Sequence, residues 1–322
     1  MLPPLPAAVA PNFEGALRLP DWGLIRASGA DAATVLHGQL TQDMLQIGAD
    51  SARLAGYCTP KGRLLASFVV FRGAGDEFGL ACSADLLPAA LKRLSMFVLR
   101  AKCKFSDAST EWTVYGLAGA AATRWLGAAA PAAPWLRCDA GGGHAIRLPD
   151  VVPATGTGQT QTVARYLWIA PAALPAPDLP ALGADAWGWL EVASGVVRIV
   201  AATAEKFVPQ MINFELVGGV DFRKGCFPGQ EVVARSQYRG TLKRRAALVL
   251  ADAALTPGQE VFHNDDPGQP AGMVALAASL DGGGHAALVE LKIAALGSGE
   301  LRAGDALLHP VALPYPIPAE AP

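Results

Sequence analysis

The sequence predicts an α+β protein, with mixed helices and strands over residues 1–240 and a small β-barrel or sandwich over residues 241–322. Three observations support this class. Strand-like and helical segments alternate in the first region. From Ala246 onward, short strand-like runs recur between proline and glycine turns, as is typical of a small barrel or sandwich. A length of 322 residues suits two domains or three small ones, so we place a boundary near residue 240.

A strand, a turn and a short helix open the mixed region. Residues 21–26 alternate like a half-buried strand, and residues 28–31 can cap a helix that runs to about residue 40. The apolar runs 54–58 and 63–71 follow, separated by Thr-Pro-Lys-Gly, whose proline and glycine occupy the second and fourth positions of a type I turn. We expect these two runs to pair as a hairpin.

The remaining predicted elements are two helices and four strands. Ser83 can cap the first helix, in which an apolar stripe recurs at helical spacing. The stripe consists of Leu87, Leu91, Leu94 and Val98. The second helix covers residues 185–194 and is ended by Gly195, the usual position for a left-handed residue. The four C-terminal strands are residues 246–251, 260–263, 272–279 and 285–293.

Composition excludes several classes of protein. The chain is 52% hydrophobic and 17% charged, with a formal net charge of −2, which is typical neither of a disordered tail nor of a globally basic nucleic-acid binder. No run reaches the ~18 uninterrupted apolar residues that a membrane span needs. The opening residues are rich in proline and lack the charged start of a secretory signal. Because five cysteines at scattered spacings indicate free thiols, we expect a cytoplasmic protein.

Cys226 is the cysteine that the sequence singles out. The segment 223–245 holds seven basic residues and one acidic residue, a local excess of +6 that leaves −8 for the remainder of the chain. A positive neighbourhood favours thiolate over thiol, and Cys226 lies in a glycine-bounded turn of this segment. The ordinary alternative for a lone cysteine is a small buried hydrophobic residue.

The same basic segment allows two interpretations. It can be a solvated strand edge that discourages aggregation. It can equally be an anion site in which Arg235, Arg239 and Arg244 hold a carboxylate, a polyglutamate tail or a phosphate through charge-assisted hydrogen bonds. The sequence leaves both open. Direct RNA binding is the least favoured use of this segment, since the whole chain carries a net charge of −2.

Several familiar motifs are absent from the sequence. It contains no Cys-x-x-Cys pair and no His-x-x-x-His spacing, so we predict no metal site. It also contains neither a Gly-x-Gly-x-x-Gly turn nor a Gly-Lys-Ser/Thr phosphate loop. Chemistry driven by a nucleotide therefore has no support in the sequence.

The octapeptide 224–231 reads Lys-Gly-Cys-Phe-Pro-Gly-Gln-Glu. It resembles the Lys-Gly-Cys-aromatic-x-Gly-Gln-Glu signature of the YgfZ-type folate-binding proteins, relatives of the aminomethyltransferase (T-protein) of the glycine cleavage system. The matching residues around Cys226 are Lys224, Gly225, Gly229, Gln230 and Glu231. Further matching segments are 21–22, 28–31, 38–41, 57–63, 207–210, 213, 219–220, 233–235, 238–240 and 243–244. The resemblance is weakest over residues 118–183.

The resemblance implies two intertwined ferredoxin-like α/β lobes plus a C-terminal β-barrel, arranged as a three-part ring around a tetrahydrofolate pocket. The family's folate-flanking tryptophans fall on Trp22 and Trp187, where an indole can stack on a planar ring, although tryptophans at element edges more often pack a core. Arg235 and Arg239, in the matching segments, complete the predicted folate contacts. The implied role is assembly or repair of iron–sulfur clusters in client enzymes, including tRNA-modifying ones, with Cys226 required and expected next to the tetrahydrofolate pocket.

A tetrahydrofolate-dependent aminomethyl or methyl transferase is the alternative function. The T-protein's catalytic aspartate lies in an Asn-Ala-x-Asn-x-Asp type stretch, and the nearest counterpart here, residues 80–85, lacks the asparagines. Asp85 also suits a plain structural role in an early helical turn. The chemistry of Cys226 stays open between reduction, uptake of a one-carbon unit and transient binding of sulfur or iron.

Overall fold

The computed structural model describes residues 12–153, 161–238, 242–281, 283–297 and 299–318. Within these residues the chain forms two five-stranded antiparallel sheets, five α-helices and a closed six-stranded barrel. This architecture confirms the predicted α+β class with a C-terminal barrel.

The bounds of the elements are as follows. The strands are β1 Gly15–Arg18, β2 Trp22–Ser28, β3 Ala52–Cys58, β4 Leu64–Arg72, β5 Glu77–Ser83, β6 Lys104–Asp107, β7 Trp112–Ala118, β8 Arg137–Ala140, β9 Gly143–Val151, β10 Val163–Pro171, β11 Arg244–Ala251, β12 Glu260–His263, β13 Gly272–Ser279, β14 His285–Lys292, β15 Leu301–Ala303 and β16 Ala306–Val311. The helices are α1 Ala32–His37, α2 Leu87–Met96, α3 Gly119–Leu126, α4 Ala184–Ala193 and α5 Gln230–Tyr238. Short 3-10 turns cover Gly127–Ala129, Ala201–Thr203, Pro209–Ile212 and Ile293–Leu296.

The chain passes between the two sheets in an interleaved order. One sheet has the strand order β3-β4-β5-β2-β6, and the other has the order β1-β7-β10-β9-β8. The chain therefore starts in one lobe at β1, builds the other lobe with β2 to β6, and returns at β7. Helix α2 packs on β2 and β6, and helix α3 packs on β7 and β10. Two α/β lobes are intertwined in this way, as the resemblance implied.

The predicted hairpin is confirmed as β3 and β4. The two strands pair from Ala52 with Phe71 to Cys58 with Leu64. In the turn, the Gly62 N–H donates to the Thr59 carbonyl at 2.9 Å. Gly62 has a φ of +72°, which a residue without a Cβ adopts at least cost. The two strands are almost entirely buried, so packing fixes them, whereas Pro60, Lys61 and Arg63 in and after the turn are exposed.

Helix α2 begins later than predicted, and the expectation that Ser83 caps it is wrong. Ser83 is the last residue of β5 and pairs with Trp22 of β2, so strand pairing holds it in the sheet. The helix starts at Leu87 without a side-chain cap. Of the predicted apolar stripe, Leu87 and Leu94 are buried, while Val98 lies beyond the end of the helix.

The barrel strands close in the order β11-β14-β13-β12-β15-β16. Strands β12 and β13 coincide with the predicted runs, and β11 and β14 differ from theirs by one or two residues. The sequence predicted no strand at β15 or β16, because the alternation of apolar and polar residues there is short. The interior is a separate apolar core that includes Val249, Val274 and Val289. The division of domains near residue 240 stays a prediction, since residues 239–241 lie outside the described residues.

A buried ion pair joins the barrel to the lobes. Arg245 on β11 pairs with Glu215, and both side chains are almost fully buried. Arg245 also donates to the Gln210 carbonyl at 3.2 Å, and the amide of Asn213 donates to the Ala246 carbonyl at 2.9 Å. Burial raises the pKa of Glu215, and the charge of Arg245 opposes that shift. Removing one partner would leave a buried charge without compensation, so this pair ties the barrel to the 3-10 turn before it.

We expect Arg245→Ala to lower the free energy of unfolding by about 3–5 kcal/mol, because it leaves the buried Glu215 carboxylate without its partner. The matched control is Arg302→Ala, which breaks an exposed pair with Glu300 and should cost at most about 1 kcal/mol. Urea denaturation followed by circular dichroism measures both. Equal losses in the two variants would contradict the structural role of the buried pair.

Candidate functional site

The octapeptide that carries Cys226 forms an irregular loop followed by a helix. Residues 224–229, the motif loop, have no regular secondary structure, and α5 begins at Gln230. Gly229 has a φ of +82°, and a Cβ there would lie 2.4 Å from the Thr59 carbonyl oxygen. Only glycine permits such a close approach. The end of the motif loop therefore lies in direct contact with the hairpin turn. Phe227 is buried, whereas its neighbour Cys226 is exposed.

Lys224 anchors the start of the motif loop. Its ammonium group donates hydrogen bonds to the carbonyl oxygens of His37 and Leu40, the latter at 2.8 Å, at the end of α1. The side chain also lies 5.0 Å from the centroid of the Phe227 ring. Burial lowers the pKa of Lys224 to about 8, and the charges of Asp43, Asp221 and Cys226 oppose this shift. Lys224 is therefore a buried cation that holds the loop and interacts electrostatically with the thiol.

The five cysteines differ sharply in their surroundings. Cys58 and Cys82 are fully buried, and burial raises the pKa of each to about 12. Cys103 and Cys138 are half-buried, and burial raises the pKa of both. Cys226 is the only exposed one of the five, all of which lie among the described residues. It is therefore the thiol that a solute can reach most easily.

A second candidate site lies between the two sheets. We call it the intersheet pocket; its lining includes Trp22, Phe68, Trp135, Arg165, Glu191 and Arg198. Arg198 lies over the Trp22 ring, 4.9 Å from its centroid, and donates to Asp21 at 2.6 Å. It also donates to both carboxylate oxygens of Glu191 at 3.2 Å. The pocket thus combines an indole face with arginine donors and a carboxylate acceptor.

Trp187 lies behind this pocket. Its ring packs on Gly116, where a Cβ would be 2.6 Å from the indole, and it is almost fully buried. The guanidinium of Arg165, which does line the pocket, lies 5.6 Å from the Trp187 ring centroid. Burial lowers the pKa of Arg165 to about 10. The structure therefore places Trp22 at the pocket and puts Arg165 between the pocket and Trp187.

Among the residues that the structure describes, the buried indole N–H groups of Trp22, Trp187 and Trp189 have no hydrogen-bond partner. An unsatisfied buried donor costs about 1–3 kcal/mol, and a bound acceptor can recover that energy. Trp22 is the one of the three that lines the intersheet pocket. The pocket therefore presents an unused donor to a ligand.

The remaining predicted residues are dispersed. Cys226 does not line the intersheet pocket, and Arg235 is exposed on α5. Arg239 lies outside the described residues. Glu231 is in the first turn of α5, where a carboxylate is favourable. The positions of these side chains leave the predicted folate contacts of Arg235 and Arg239 as predictions.

Three of the seven basic residues of the segment 223–245 make internal contacts. Arg244 donates to both carboxylate oxygens of Glu290 at 2.9 Å, and Arg245 pairs with Glu215. Lys224 is buried on backbone carbonyls, as described above. The +6 excess seen in the sequence therefore does not form one free positive surface.

Sequence reasoning missed Arg165, Glu191 and Arg198. Glu191 lies four residues after Trp187 on α4, a spacing that puts both on one helix face and could have indicated it. Nothing in the sequence pointed to the two arginines. Asp85 is the residue that the sequence analysis compared with a catalytic aspartate. It accepts a hydrogen bond from the Ala201 N–H at 2.9 Å and so binds the first residue of a 3-10 turn.

Two structural absences hold for the residues described. They contain no group of three or more His, Cys, Asp or Glu residues that could hold a metal ion. No helix among them is long and apolar enough to cross a membrane.

Two interleaved α/β lobes and a closed barrel define a protein with the fold of the glycine cleavage aminomethyltransferases. The crystal structure of aminomethyltransferase T from Bartonella henselae matches 94% of this chain and 85% of that chain, with a TM-score of 0.70 and 15% sequence identity. At this identity the match shows the fold alone, and it confirms the T-protein-like fold that the resemblance implied.

Sequence comparison identifies the family. The tRNA-modifying protein YgfZ of Edwardsiella ictaluri is 34% identical over 268 residues, covering 78% of this chain and 75% of that protein. YgfZ of an Enterobacter species is 30% identical over 75% of this chain and 73% of its own. YgfZ of Escherichia coli O6:K15:H31 is 28% identical over the same shares. The chain belongs to the family of YgfZ tRNA-modifying proteins. No family model matches it.

We expect iodoacetamide near neutral pH to alkylate Cys226 at least about tenfold faster than Cys58 or Cys82, because burial keeps those two thiols protonated and covered. Peptide mass spectrometry at timed intervals measures all sites in one sample of the folded protein. If Cys226 is alkylated no faster than the buried cysteines, the result would contradict its role as the reacting thiol.

Proposed function

We propose that this protein is a cytoplasmic folate-binding factor that supports assembly or repair of iron–sulfur clusters in client enzymes, including tRNA-modifying enzymes. The intersheet pocket would bind tetrahydrofolate, and Cys226 would carry the chemistry. The observation that carries the proposal is the exposed thiol of Cys226, held by the Lys224 and Gly229 contacts in a chain of the YgfZ family. Five free cysteines suit a reducing compartment.

The residues that line the intersheet pocket match the chemistry of a pterin, and its cavity of about 40 Å³ would have to widen to admit one. The pyrimidine part of a tetrahydropterin is flat and carries an amino group beside a ring N–H, and the indole of Trp22 can stack on it. The Glu191 carboxylate can accept from the amino group and the ring N–H, and the unpartnered indole N–H of Trp22 can donate to a ring acceptor. When bound, tetrahydrofolate would supply a carrier for one-carbon units.

Arginines account for the anionic part of the ligand. Arg165 is fully buried, and its hydrogen bonds to the Pro149 carbonyl are long, at 3.3 Å. A carboxylate is a stronger acceptor for a guanidinium than a carbonyl is. A ligand oxygen that reaches the Arg165 guanidinium should therefore be held more strongly when it carries negative charge.

Cys226 and the pocket have separate roles in this proposal. Gly229 of the motif loop contacts the hairpin turn at Gly62, whereas Phe68 lines the pocket six residues further along the same hairpin. At about 3.3 Å per residue, these two points are roughly 20 Å apart along β4. Loss of the thiol should therefore leave folate affinity intact.

The direct test is calorimetric titration of tetrahydrofolate into the protein. Trp22→Ala should weaken binding by about tenfold, the free energy of one aromatic stacking contact, while Cys226→Ala should bind like the unchanged protein. Trp125→Ala is the matched control, because Trp125 packs edge-on against Trp168, away from the pocket. Equal affinity in the unchanged protein and Trp22→Ala would refute the pocket assignment.

The cellular role requires a second measurement. In a bacterial host that lacks its own YgfZ protein, the unchanged chain should restore the products of iron–sulfur tRNA-modifying enzymes, measured as modified nucleosides by mass spectrometry. Cys226→Ala should fail, because the exposed thiol is lost, while Cys138→Ala should succeed, since that half-buried thiol is not part of the motif loop. Full restoration by Cys226→Ala would overturn the proposed role of the thiol.

A further inference from the structure

His37 is the one histidine next to the motif loop. It is the last residue of α1, and its ring Nδ1 lies 3.0 Å from Oδ1 of Asp43. The other ring nitrogen, Nε2, faces the motif loop: a Cβ placed on Gly225 would lie 3.4 Å from it. Gly225 immediately precedes Cys226, so the free face of the imidazole is directed to the part of the loop that carries the thiol.

Asp43 fixes the protonation pattern of this imidazole. Its Oδ1 also accepts the Leu45 backbone N–H at 2.9 Å, so the carboxylate is held in place. A carboxylate next to Nδ1 favours the tautomer in which Nδ1 carries the proton and donates it. In that tautomer Nε2 has a lone pair and can accept a proton. Both side chains are largely buried, which protects the contact from competition by water.

The motif loop cannot shift independently of His37. Lys224 donates to the backbone carbonyl of His37 itself and to that of Leu40. Lys224 therefore contacts the His37 backbone, Gly225 lies near the His37 ring, and Cys226 is the next residue. The Cys226 side chain is exposed, and a proton transfer to His37 requires its thiol to turn towards the imidazole.

We propose that His37 accepts the thiol proton of Cys226 and that Asp43 orients His37 for this step. The S–H bond breaks, its electron pair stays on sulfur, and the proton forms a new bond to Nε2 of His37. The products are a thiolate and an imidazolium, whose positive charge the Asp43 carboxylate stabilises. The inference rests on the proposed function of Cys226 as the reacting group and adds to it the residue that activates the thiol.

Other charged groups surround the same position and affect its titration. Lys224 and Asp221 lie on the segment leading into the loop, and the charge of Lys224 is coupled to those of Asp43 and Cys226. The hairpin turn contributes Lys61 and Arg63, the residue before Lys224 is Arg223, and the first half of α5 contributes Glu231 and Arg235. These groups are unchanged in His37→Gln, so a change in that variant belongs to the imidazole, whereas Asp43→Asn also removes a charge that acts on Lys224.

The test is the pH profile of Cys226 alkylation in the full chain. Iodoacetamide reacts with the folded protein between pH 5 and 10, and peptide mass spectrometry gives the rate at Cys226. His37→Gln should lower this rate at pH 7 by about tenfold or more, at the low end of what a positioned base contributes, and should move the rise of the profile to higher pH. Asp43→Asn should change the profile in the same direction by a smaller factor.

Two controls separate activation from a structural effect. His285→Gln alters an imidazole that contacts Ser279 in the barrel and should leave the profile unchanged. At pH 10, above the ordinary pKa of a cysteine in a peptide, His37→Gln should react at the rate of the unchanged protein, which would show that the loop is still folded and accessible.

The outcomes distinguish the inference from the proposed function. If His37→Gln has the same pH profile as the unchanged protein, the assignment of His37 is overturned, whereas the loss of client activity in Cys226→Ala would still support the proposed function. If the slowed variant is equally slow at pH 10, the effect is structural and the assignment is likewise overturned. A shift of the alkylation profile to higher pH that occurs in His37→Gln and Asp43→Asn, but not in His285→Gln, supports the assignment of His37.

Discussion

The buried ammonium group of Lys224 is the interaction on which the candidate site depends. A cation in the interior is costly unless its hydrogen bonds are satisfied, and the carbonyls of His37 and Leu40 provide them. The His37 carbonyl lies at the C-terminal end of α1, where the helix leaves acceptors free for a positive charge, and Leu40 follows three residues later. The contact joins residues almost two hundred positions apart in the sequence. It therefore fixes the start of the motif loop, which carries Cys226, on the lobe. Gly229, pressed on the hairpin turn, fixes the other end of the same loop.

The hairpin of β3 and β4 connects the two parts of the proposed function. Its turn supports the motif loop, and its middle lines the intersheet pocket between the lobes. Both strands are buried and paired along their whole length, so they form a rigid connection. A protein that binds a planar ligand at the middle of such a hairpin and presents a thiol near its turn can keep the two tasks chemically separate. The barrel adds to this frame through Arg245 and Glu215.

The intersheet pocket brings together residues that lie far apart in the sequence. Trp22 lines it, but Trp187 contacts it only through Arg165, and Glu191 approaches from α4 beside Arg198. These residues come from both sheets and from a helix that packs on the barrel. Apart from the tryptophans, none of these residues belongs to a recognisable motif in the sequence. They are related by their common position between the lobes.

The sequence by itself determined the elements whose signals are local. Proline and glycine spacing fixed the hairpin turn, regular turn spacing marked the barrel strands, and the octapeptide around Cys226 indicated the family and the loop. Tertiary structure alone decided which charges are free, because Lys224, Arg244 and Arg245 look alike in a basic run until packing buries them against carbonyls or carboxylates. It also decided that Ser83 ends a strand instead of capping a helix, since pairing with β2 outweighs a local preference. The physical reason is range: turn and strand preferences act over a few residues, whereas burial and ion pairing depend on groups that meet only when the chain has folded.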